Sequence, residues 1–416
     1  MTLMHALLLA LALTATTGPK FIDDDYARAL KQAKTKKKLL FVDAWAPWCH
    51  TCIAMKEQVF TRPSFAAFEK DVVFASIDTE KLKSDAFLKK FPIDVWPTLL
   101  FIDPVKETLV LKWLGSADEL QMQALLEAAR GGPGAVRDAD DALGAGNAGV
   151  AAEKYKTSLE AGEVKARTVL SMLSALTLAK EPEACARTTM EQLPLFTNPQ
   201  ERVSALTWGI SCATEMPEGK QKGAILDALV REGTRALPLE GVLPDDTSGL
   251  YEVLVGEREA AKDDAASQKL AADWLTFLEG QAAKAKTPAE RAVFDPHRVS
   301  AALASKQTIK VIEPLLQSEK DFPKDYNPPA RLAVVYREQG RFVDALQAIE
   351  RALSKCKEGP RKLRLFDTKA SIQDKKGDAA GKKKTIEEAV KYARKLPRTQ
   401  VSEKRIADLE AQLAPQ

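Results

Sequence analysis

The sequence is poor in the features on which several large classes of protein depend. Its 416 residues include five cysteines and three histidines, too few and too scattered for a framework of disulfides. The 61 basic and 58 acidic residues nearly cancel. We therefore expect no nucleic-acid partner, because surfaces that bind nucleic acid carry a clustered basic excess. No apolar run approaches the roughly 18 residues of a membrane-spanning helix, so no integral membrane span is expected.

The C-terminal two thirds of the chain lack the motifs of several common enzyme classes. Residues 138–416 contain no hydrolase elbow, phosphate-binding loop or defensible pair of catalytic carboxylates. We expect no cofactor, and any chemistry has to come from the first third of the chain.

The N-terminus contains one short apolar run, Ala6 to Leu13. This run is too short to cross a bilayer as a helix, but it has the length of a signal-peptide core. The preceding segment has no Lys or Arg, and residues 14–18 offer no clear cleavage site. We expect residues 1–18 to be a signal peptide and the protein to be exported to a bacterial periplasm. The alternatives are a cytoplasmic protein or one anchored by this segment.

Between residues 19 and 130, segments with helical spacing alternate with short apolar runs typical of buried strands. The predicted strands are 39–42, 72–77, 98–102 and 108–114, and the predicted helices are 24–36, about 50–60, 84–91 and 117–129. A strand–helix–strand start with a hairpin-like end predicts an α/β domain, in which helices flank a central mixed sheet.

A run of Gly and Pro within the linker 131–137 interrupts this pattern. From 138 to 416 Ala, Leu, Lys and Glu dominate at helical periods, which predicts an all-α domain. Small and large residues recur there at offsets near 34, a pattern that resembles tetratricopeptide repeats. The clearest predicted repeats are 292–325, 326–359 and 363–396.

The segment with the clearest chemistry is Trp48-Cys49-His50-Thr51-Cys52. A lone Cys-x-x-Cys fits metal binding, redox chemistry or coincidence, but this one follows a predicted buried strand and opens a helix. At a helix N-terminus the free N–H groups and the dipole favour a Cys49 thiolate, and Cys52 on the first turn can resolve a mixed disulfide. Zinc would need two more ligands, and no second Cys-x-x-Cys or His pair exists. We expect no metal.

Three features together resemble the thioredoxin superfamily: the Trp-Cys-x-x-Cys motif, Asp43 six positions before Cys49, and Trp96-Pro97 before an apolar strand. The resemblance implies a thioredoxin fold over residues 19–130. The stretch 55–60, followed by a proline, is more similar to the C-terminal domain of bacterial membrane disulfide-interchange reductases.

This resemblance also implies roles for individual residues. Cys49 and Cys52 form the redox disulfide, and Asp43 exchanges protons with the resolving cysteine. Pro97 forms the cis-proline loop against the active site. Side chains that shape the substrate groove are Trp48, His50, Thr51, Trp96 and Pro97.

Two positions depart from the thioredoxin pattern. The dipeptide between the cysteines is His50-Thr51 rather than Gly-Pro. Either this histidine stabilises the Cys49 thiolate, which makes the couple more oxidising, or it is an inert exposed residue. Phe74 stands where thioredoxin carries a lysine near the buried acid, so proton handling by Asp43 is expected to differ.

The other cysteines and one histidine fall in helical segments. We expect Cys185, Cys212 and Cys356 to be buried apolar residues, with a Cys185–Cys212 disulfide as the alternative in an exported chain. His297 is expected to be a packing or hydrogen-bonding residue rather than a ligand.

The resulting functional prediction is a protein-disulfide oxidoreductase that acts through Cys49 and Cys52, with reductase as the favoured direction. Its expected partners are protein thiols or disulfides, an upstream electron donor or acceptor protein, and a protein or peptide on the helical repeats. The alternative is a repeat scaffold or assembly factor whose thioredoxin fold is an accessory binding module.

Overall fold

A computed structural model describes residues 18–131, 134–162 and 165–413, so the signal peptide predicted at residues 1–18 lies almost entirely outside the described part. The first unit contains five strands and four α-helices. They are β1 (Phe21–Asp23), α1 (Tyr26–Lys36), β2 (Leu39–Trp45), α2 (His50–Ala54), β3 (Val72–Asp78), α3 (Asp85–Lys90), β4 (Thr98–Asp103), β5 (Thr108–Leu114) and α4 (Glu119–Arg130). The helix α2 continues as a π-helical turn, Met55–Val59.

The strands form one mixed sheet in the order β1-β3-β2-β4-β5. The strand β3 is parallel to β1 and β2, whereas β4 is antiparallel to β2 and β5. The predicted α/β architecture is confirmed. The prediction missed β1, where Phe21 pairs with Phe74, because three residues are too few to show an alternating pattern.

Alternation along β2 sends its side chains to two different layers. Leu40 and Val42 lie in the apolar layer beneath α1 and α3. Phe41 lies in the layer on the opposite side, against Met55 and Phe74. Asp43, two residues after Phe41, therefore faces the α2 side of the sheet, which is the side that carries the cysteines.

The rest of the described chain contains only helices, which confirms the predicted all-α domain. The α-helices are α5 (Ala135–Gly144), α6 (Ala148–Glu160), α7 (Ala166–Leu178), α8 (Pro182–Gln192), α9 (Pro199–Glu215), α10 (Lys220–Ala236), α11 (Pro244–Ala260), α12 (Asp264–Ala282), α13 (Pro288–Ala292), α14 (Asp295–Ala304), α15 (Ile312–Asp321), α16 (Asn327–Glu338), α17 (Phe342–Lys355), α18 (Arg361–Lys376), α19 (Ala379–Ala393) and α20 (Glu403–Ala411). None of the helices in the described ranges has the length and apolar character that a membrane span requires.

Each of the three predicted repeat intervals contains two helices: α14 and α15, α16 and α17, or α18 and α19. The pairs contact one another in chain order, as expected for a domain in which each unit packs on its neighbours. Their assignment as tetratricopeptide repeats stays a prediction.

The sheet domain and the helical domain share one apolar core. Trp113 of β5, Leu125 of α4 and Leu173 of α7 belong to the same buried cluster. The helix α5 packs on β5, and α11 packs on α2. Because apolar burial provides most of the stabilisation at such contacts, the helical domain is fixed against the cysteine-bearing end of the sheet domain.

The expectation of unpaired thiols is wrong for Cys185 and Cys212. The helices α8 and α9 pack together and bring the two residues to a Cα–Cα distance of 6.0 Å, where a disulfide joins them. Both are buried, as predicted. The sequence could not settle this pairing, because it depends on how two helices meet. Cys356 is a buried free thiol, and burial raises its pKa to about 11.

This disulfide generates a stability prediction. Replacing Cys185 and Cys212 with Ala should lower the free energy of unfolding by about 3 kcal/mol, because the crosslink restricts a loop of 27 residues in the unfolded chain. Chemical denaturation of the two proteins measures the difference. Cys356→Ala, which removes an unpaired buried sulfur, is the matched control. A double variant as stable as that control would contradict the prediction.

Candidate active site

Cys49 and Cys52 are joined by a disulfide at the start of α2. Cys49 is the N-cap residue, and its Sγ accepts a hydrogen bond from the backbone N–H of Cys52 at 3.0 Å. Cys49 retains 4% exposure, whereas Cys52 has none. The arrangement suits an attacking sulfur at Cys49, because N–H groups at a helix N-terminus stabilise a thiolate.

Three tryptophans surround the disulfide. Trp45, Trp48 and Trp96 pack against the small cluster formed by the two cysteines and Ala46. The rings of Trp48 and Trp96 meet edge to face at a centroid distance of 5.3 Å. The Trp96–Pro97 peptide bond is cis, in the position that the sequence resemblance implies for the loop against the active site.

Asp43 is buried beneath this end of the sheet. One carboxylate oxygen lies 3.4 Å from the Ser76 hydroxyl, and the other has no hydrogen-bond partner among the described residues. Burial raises the pKa of Asp43 to about 6. A cavity of about 380 Å³ lined by Asp43 and Lys56 connects the carboxyl group to the surface near Lys20. Asp43 can therefore take up or release a proton near neutral pH.

The cation near Asp43 comes from a different element than in thioredoxin. Phe74 packs in the aromatic cluster with Phe41, while Lys56 faces Asp43 from the π-helical turn after α2. The charge of Lys56 opposes the effect of burial and lowers the pKa of Asp43. Its ammonium also lies 3.0 Å from the centroid of the Trp45 ring. Lys56 therefore places a cation near Asp43 that does not come from position 74.

His50 points away from the sheet domain and contacts the helical domain. Its Nδ1 lies 3.0 Å from an oxygen of Asp245 at the start of α11. The same oxygen lies 3.1 Å from Nε2 of His297 in α14. The alternative prediction, that His50 is an inert exposed residue, is therefore wrong. Thr51 lies beside it, with its hydroxyl 3.1 Å from Nδ1.

A second group of contacts reaches the active site from α18. Trp48 donates a hydrogen bond from Nε1 to the buried carboxylate of Glu80. Arg361 lies 3.1 Å from the same carboxylate and 2.6 Å from Asp78. Arg364 also pairs with Glu80, and its guanidinium lies 4.4 Å from the Trp48 ring centroid. Trp48 is therefore held by charges from both domains.

Backbone contacts complete the docking around the disulfide. Asn327 at the start of α16 donates a hydrogen bond to the Pro47 carbonyl oxygen at 3.0 Å. The turn before α18 reaches the Glu80 carbonyl so closely that a Cβ on Gly359 would lie 2.1 Å from that oxygen. Gly359 also has a φ of +84°, a conformation that favours glycine.

A cavity of about 250 Å³ opens between the two domains beside His50 and Thr51, the dipeptide between the cysteines. His50, Thr51 and Trp96 form its sheet-domain wall, and Trp208 and Glu252 belong to its helical wall. Three of the five predicted groove residues, His50, Thr51 and Trp96, therefore line this cavity, whereas Trp48 and Pro97 do not. The other lining residues include several that the sequence analysis did not single out.

Comparisons with known proteins agree with this geometry. Residues 21–104 match a family model described as thioredoxin-like. Thioredoxin H3 of Arabidopsis thaliana is 35% identical over 92 residues, which are 21% of this chain and 71% of that protein. The chain belongs to the thioredoxin family.

A second thioredoxin relative and one solved structure are also similar to part of the chain. A thioredoxin H-type of Brassica campestris is 32% identical over 99 residues, 23% of this chain and 72% of the relative. The solution structure of a candidate disulphide isomerase from Bacteroides thetaiotaomicron is 28% identical and covers 29% of this chain and 98% of its own, with a TM-score of 0.26. The thioredoxin-like domain and its Cys49–Cys52 pair make this protein a thiol–disulfide oxidoreductase.

Three residues of the thioredoxin-like site were not identified as functional from the sequence. Lys56 follows Cys52 by four residues, a spacing that places both on one face of a helix; this signal was available. Asp245 and the contact of His297 with the site had no local signal, because both reach His50 through the docking of distant helices.

The buried Asp43 generates a pH-dependent prediction. Its raised pKa, about 6 against an ordinary value near 3.9, means that the folded protein binds this proton more tightly than the unfolded chain. The stability that this proton adds to the folded protein is fully present below about pH 4 and is lost as the pH rises through 6. Relative to wild type, Asp43→Asn should therefore gain roughly 2 kcal/mol of stability between pH 4 and pH 7.

Denaturation of the oxidised proteins at a series of pH values measures this difference. Lys56→Met is the second variant, and it should move the midpoint of the wild-type transition to higher pH because the cation lowers the pKa of Asp43. A stability difference between wild type and Asp43→Asn that does not vary with pH would refute the assignment.

Proposed function

We propose that this protein reduces disulfides in other proteins, with Cys49 as the nucleophile and Cys52 as the resolving thiol. The observation that carries the proposal is the inequality of the two sulfurs. Cys49 is at a helix N-terminus with residual exposure, and Cys52 is fully buried. Such a pair attacks from the outer sulfur and resolves from the inner one. The reductase direction draws on the sequence likeness of residues 55–60 to disulfide-interchange reductases.

In the proposed reaction, the Cys49 thiolate attacks a partner disulfide. This forms a mixed disulfide and releases one partner sulfur as a thiolate. Cys52 then gives its proton to the Asp43 carboxylate, and its sulfur attacks that of Cys49. The second partner sulfur leaves as a thiolate, and both released thiolates take up protons. The partner gains two electrons, the Cys49–Cys52 disulfide is left, and an upstream thiol protein must reduce it.

The helical domain is proposed to select the partner. Its residues form one wall of the cavity beside the disulfide, opposite Trp96 and Thr51. A partner segment that enters this cavity would contact both domains next to the dipeptide between the cysteines. The predicted repeats add a surface on which a protein or peptide can dock.

Export is proposed on the basis of the second disulfide. Disulfides persist in oxidising compartments and are rare where glutathione and thioredoxin keep thiols reduced. The Cys185–Cys212 disulfide supports an oxidising location such as the periplasm, and the donor that regenerates Cys49 and Cys52 would then be a membrane protein.

A scaffold is the second candidate function. The observation in its favour is the close packing of α16 and α18 on the loops around Trp48 and Pro47, which fits a binding module held in one arrangement. Cys49→Ser separates the candidates, because a scaffold keeps its function without the sulfur and an oxidoreductase loses it.

The reduction potential of Cys49 and Cys52 tests the direction. We predict a value closer to that of thioredoxin, about −270 mV, than to about −120 mV, and raised above the thioredoxin value to the extent that His50 stabilises the Cys49 thiolate; such a value suits a reductase fed by an upstream donor. Equilibration against glutathione with alkylation of free thiols measures it. A value nearer about −120 mV would reverse the direction to oxidation. Failure to form a reversible disulfide would leave the scaffold.

Trapping tests the roles of the two sulfurs. Cys52→Ala should accumulate mixed disulfides between Cys49 and its partners, because the resolving thiol is missing. Non-reducing electrophoresis of the expressed protein, followed by mass spectrometry, identifies them. Cys49→Ser/Cys52→Ala is the matched control and should trap nothing. Equal trapping by both variants would contradict the assignment of Cys49.

A further inference from the structure

The carboxylate of Asp245 is the contact of the helical domain with the dipeptide between the two cysteines. Asp245 is 3% exposed. Asp245 Oδ1 lies 3.0 Å from His50 Nδ1 and 3.1 Å from His297 Nε2, and the centroids of the two imidazoles are 4.0 Å apart. Residues far apart in sequence thus meet at His50, the residue that follows Cys49.

Asp245 has no other hydrogen-bond partner in the part of the chain that the structure describes. A buried carboxylate is costly unless it is paired and hydrogen-bonded, so its two imidazole neighbours have to supply that compensation. The adjacent acid, Asp246, is half-buried and has other partners: its oxygens accept hydrogen bonds from Ser116 and Gln200.

The titratable side chains that face His50 come from two helices. The helix α11 contributes Asp245, Asp246 and Glu252, and α14 contributes His297. Burial alone would lower the pKa of His50, but the carboxylates outweigh burial and raise it, with Asp245 the strongest of them. Burial likewise opposes ionisation of Asp245. The two imidazoles have a larger, opposite effect, and they hold the pKa of the Asp245 carboxyl well below its usual range.

We propose that Asp245 of the helical domain is a positioning residue for the active site, which holds His50 as an imidazolium beside Cys49 while His297 fixes the carboxylate. The inference rests on the proposed function, since it concerns the attacking sulfur. An imidazolium next to a cysteine favours the thiolate. The docked helical domain therefore sets the reactivity of Cys49.

The same three atoms also resemble a metal-ligand set, because two imidazoles and a carboxylate occur in zinc sites. The hydrogen bonds account for the cluster without an ion: each imidazole can direct an N–H at the shared carboxylate. Experiments in the presence of a chelator separate the two explanations.

The test follows the alkylation rate of Cys49 against pH in the reduced full-length protein, with and without EDTA and with peptide mass spectrometry as the readout. In Asp245→Asn the apparent pKa of the Cys49 thiol should rise by about one unit, so alkylation below that pKa slows about tenfold. Asp140→Asn is the matched control, since Asp140 is also a buried acid with two partners, Tyr155 and Arg167. It should leave the profile unchanged.

A double variant shows whether the effect passes through His50. With His50→Gln already present, Asp245→Asn should change the profile no further, whereas Asp245→Glu alone should restore part of the wild-type rate. In parallel, the NMR titration of His50 should move to lower pH in Asp245→Asn. Should that variant not fold, Asp245→Ser carries the same prediction.

Three results would overturn the proposal: identical profiles for wild type and Asp245→Asn, an undiminished effect of Asp245→Asn in the His50→Gln background, or an effect that EDTA abolishes. The measurement needs neither partner nor turnover. A wild-type protein that lacks reversible disulfide chemistry would refute the proposed function alone, and the alkylation profile would still decide the role of Asp245.

Discussion

Buried charge at the active-site end of the thioredoxin-like domain has to be compensated, and the compensation comes from the helical domain. Asp78 and Glu80 are buried acids. Removing such groups from water costs several kcal/mol each unless opposite charges and hydrogen bonds meet them. Arg361 pairs with both, and Arg364 pairs with Glu80. The acids of this polar network therefore come from the thioredoxin-like domain, and the cations that pair with them come from the helical domain.

This constraint orients the redox site. Glu80 accepts the hydrogen bond from Trp48, and Arg364 lies over the Trp48 ring, so the tryptophan before Cys49 is fixed by the same charges that hold the domains together. On the other side of the disulfide, Asp245 holds His50. A change in docking would alter both neighbours of Cys49 at once. The catalytic environment is thus a property of the whole chain.

The sequence predicted what depends on local pattern. The short continuous apolar run 39–42 indicated β2, and the Cys-x-x-Cys after it indicated a helix start, because both signals lie within a few residues of the feature they report. It did not predict β1, which is defined by its pairing with β3. It also favoured unpaired thiols at Cys185 and Cys212, since the meeting of α8 and α9 is a tertiary event. The contact of Asp245 with His50 spans 195 positions, and no local pattern encodes it.

Lys56 supplies a cation near Asp43 that, by the thioredoxin resemblance, a lysine at position 74 would otherwise supply. An aromatic side chain at Phe74 extends the apolar layer with Phe41 and Phe65, and a lysine there would lose that packing. Lys56 supplies the cation from the π-helical turn after α2, where it is half-buried and its ammonium lies over the Trp45 ring. Burial lowers the pKa of Lys56, and Asp43 opposes that shift. The two groups therefore stabilise each other's charged forms. The proton transfer proposed for Cys52 would therefore depend on a pair that flanks the redox motif: Asp43 on the strand before it and Lys56 on the π-helical turn after α2.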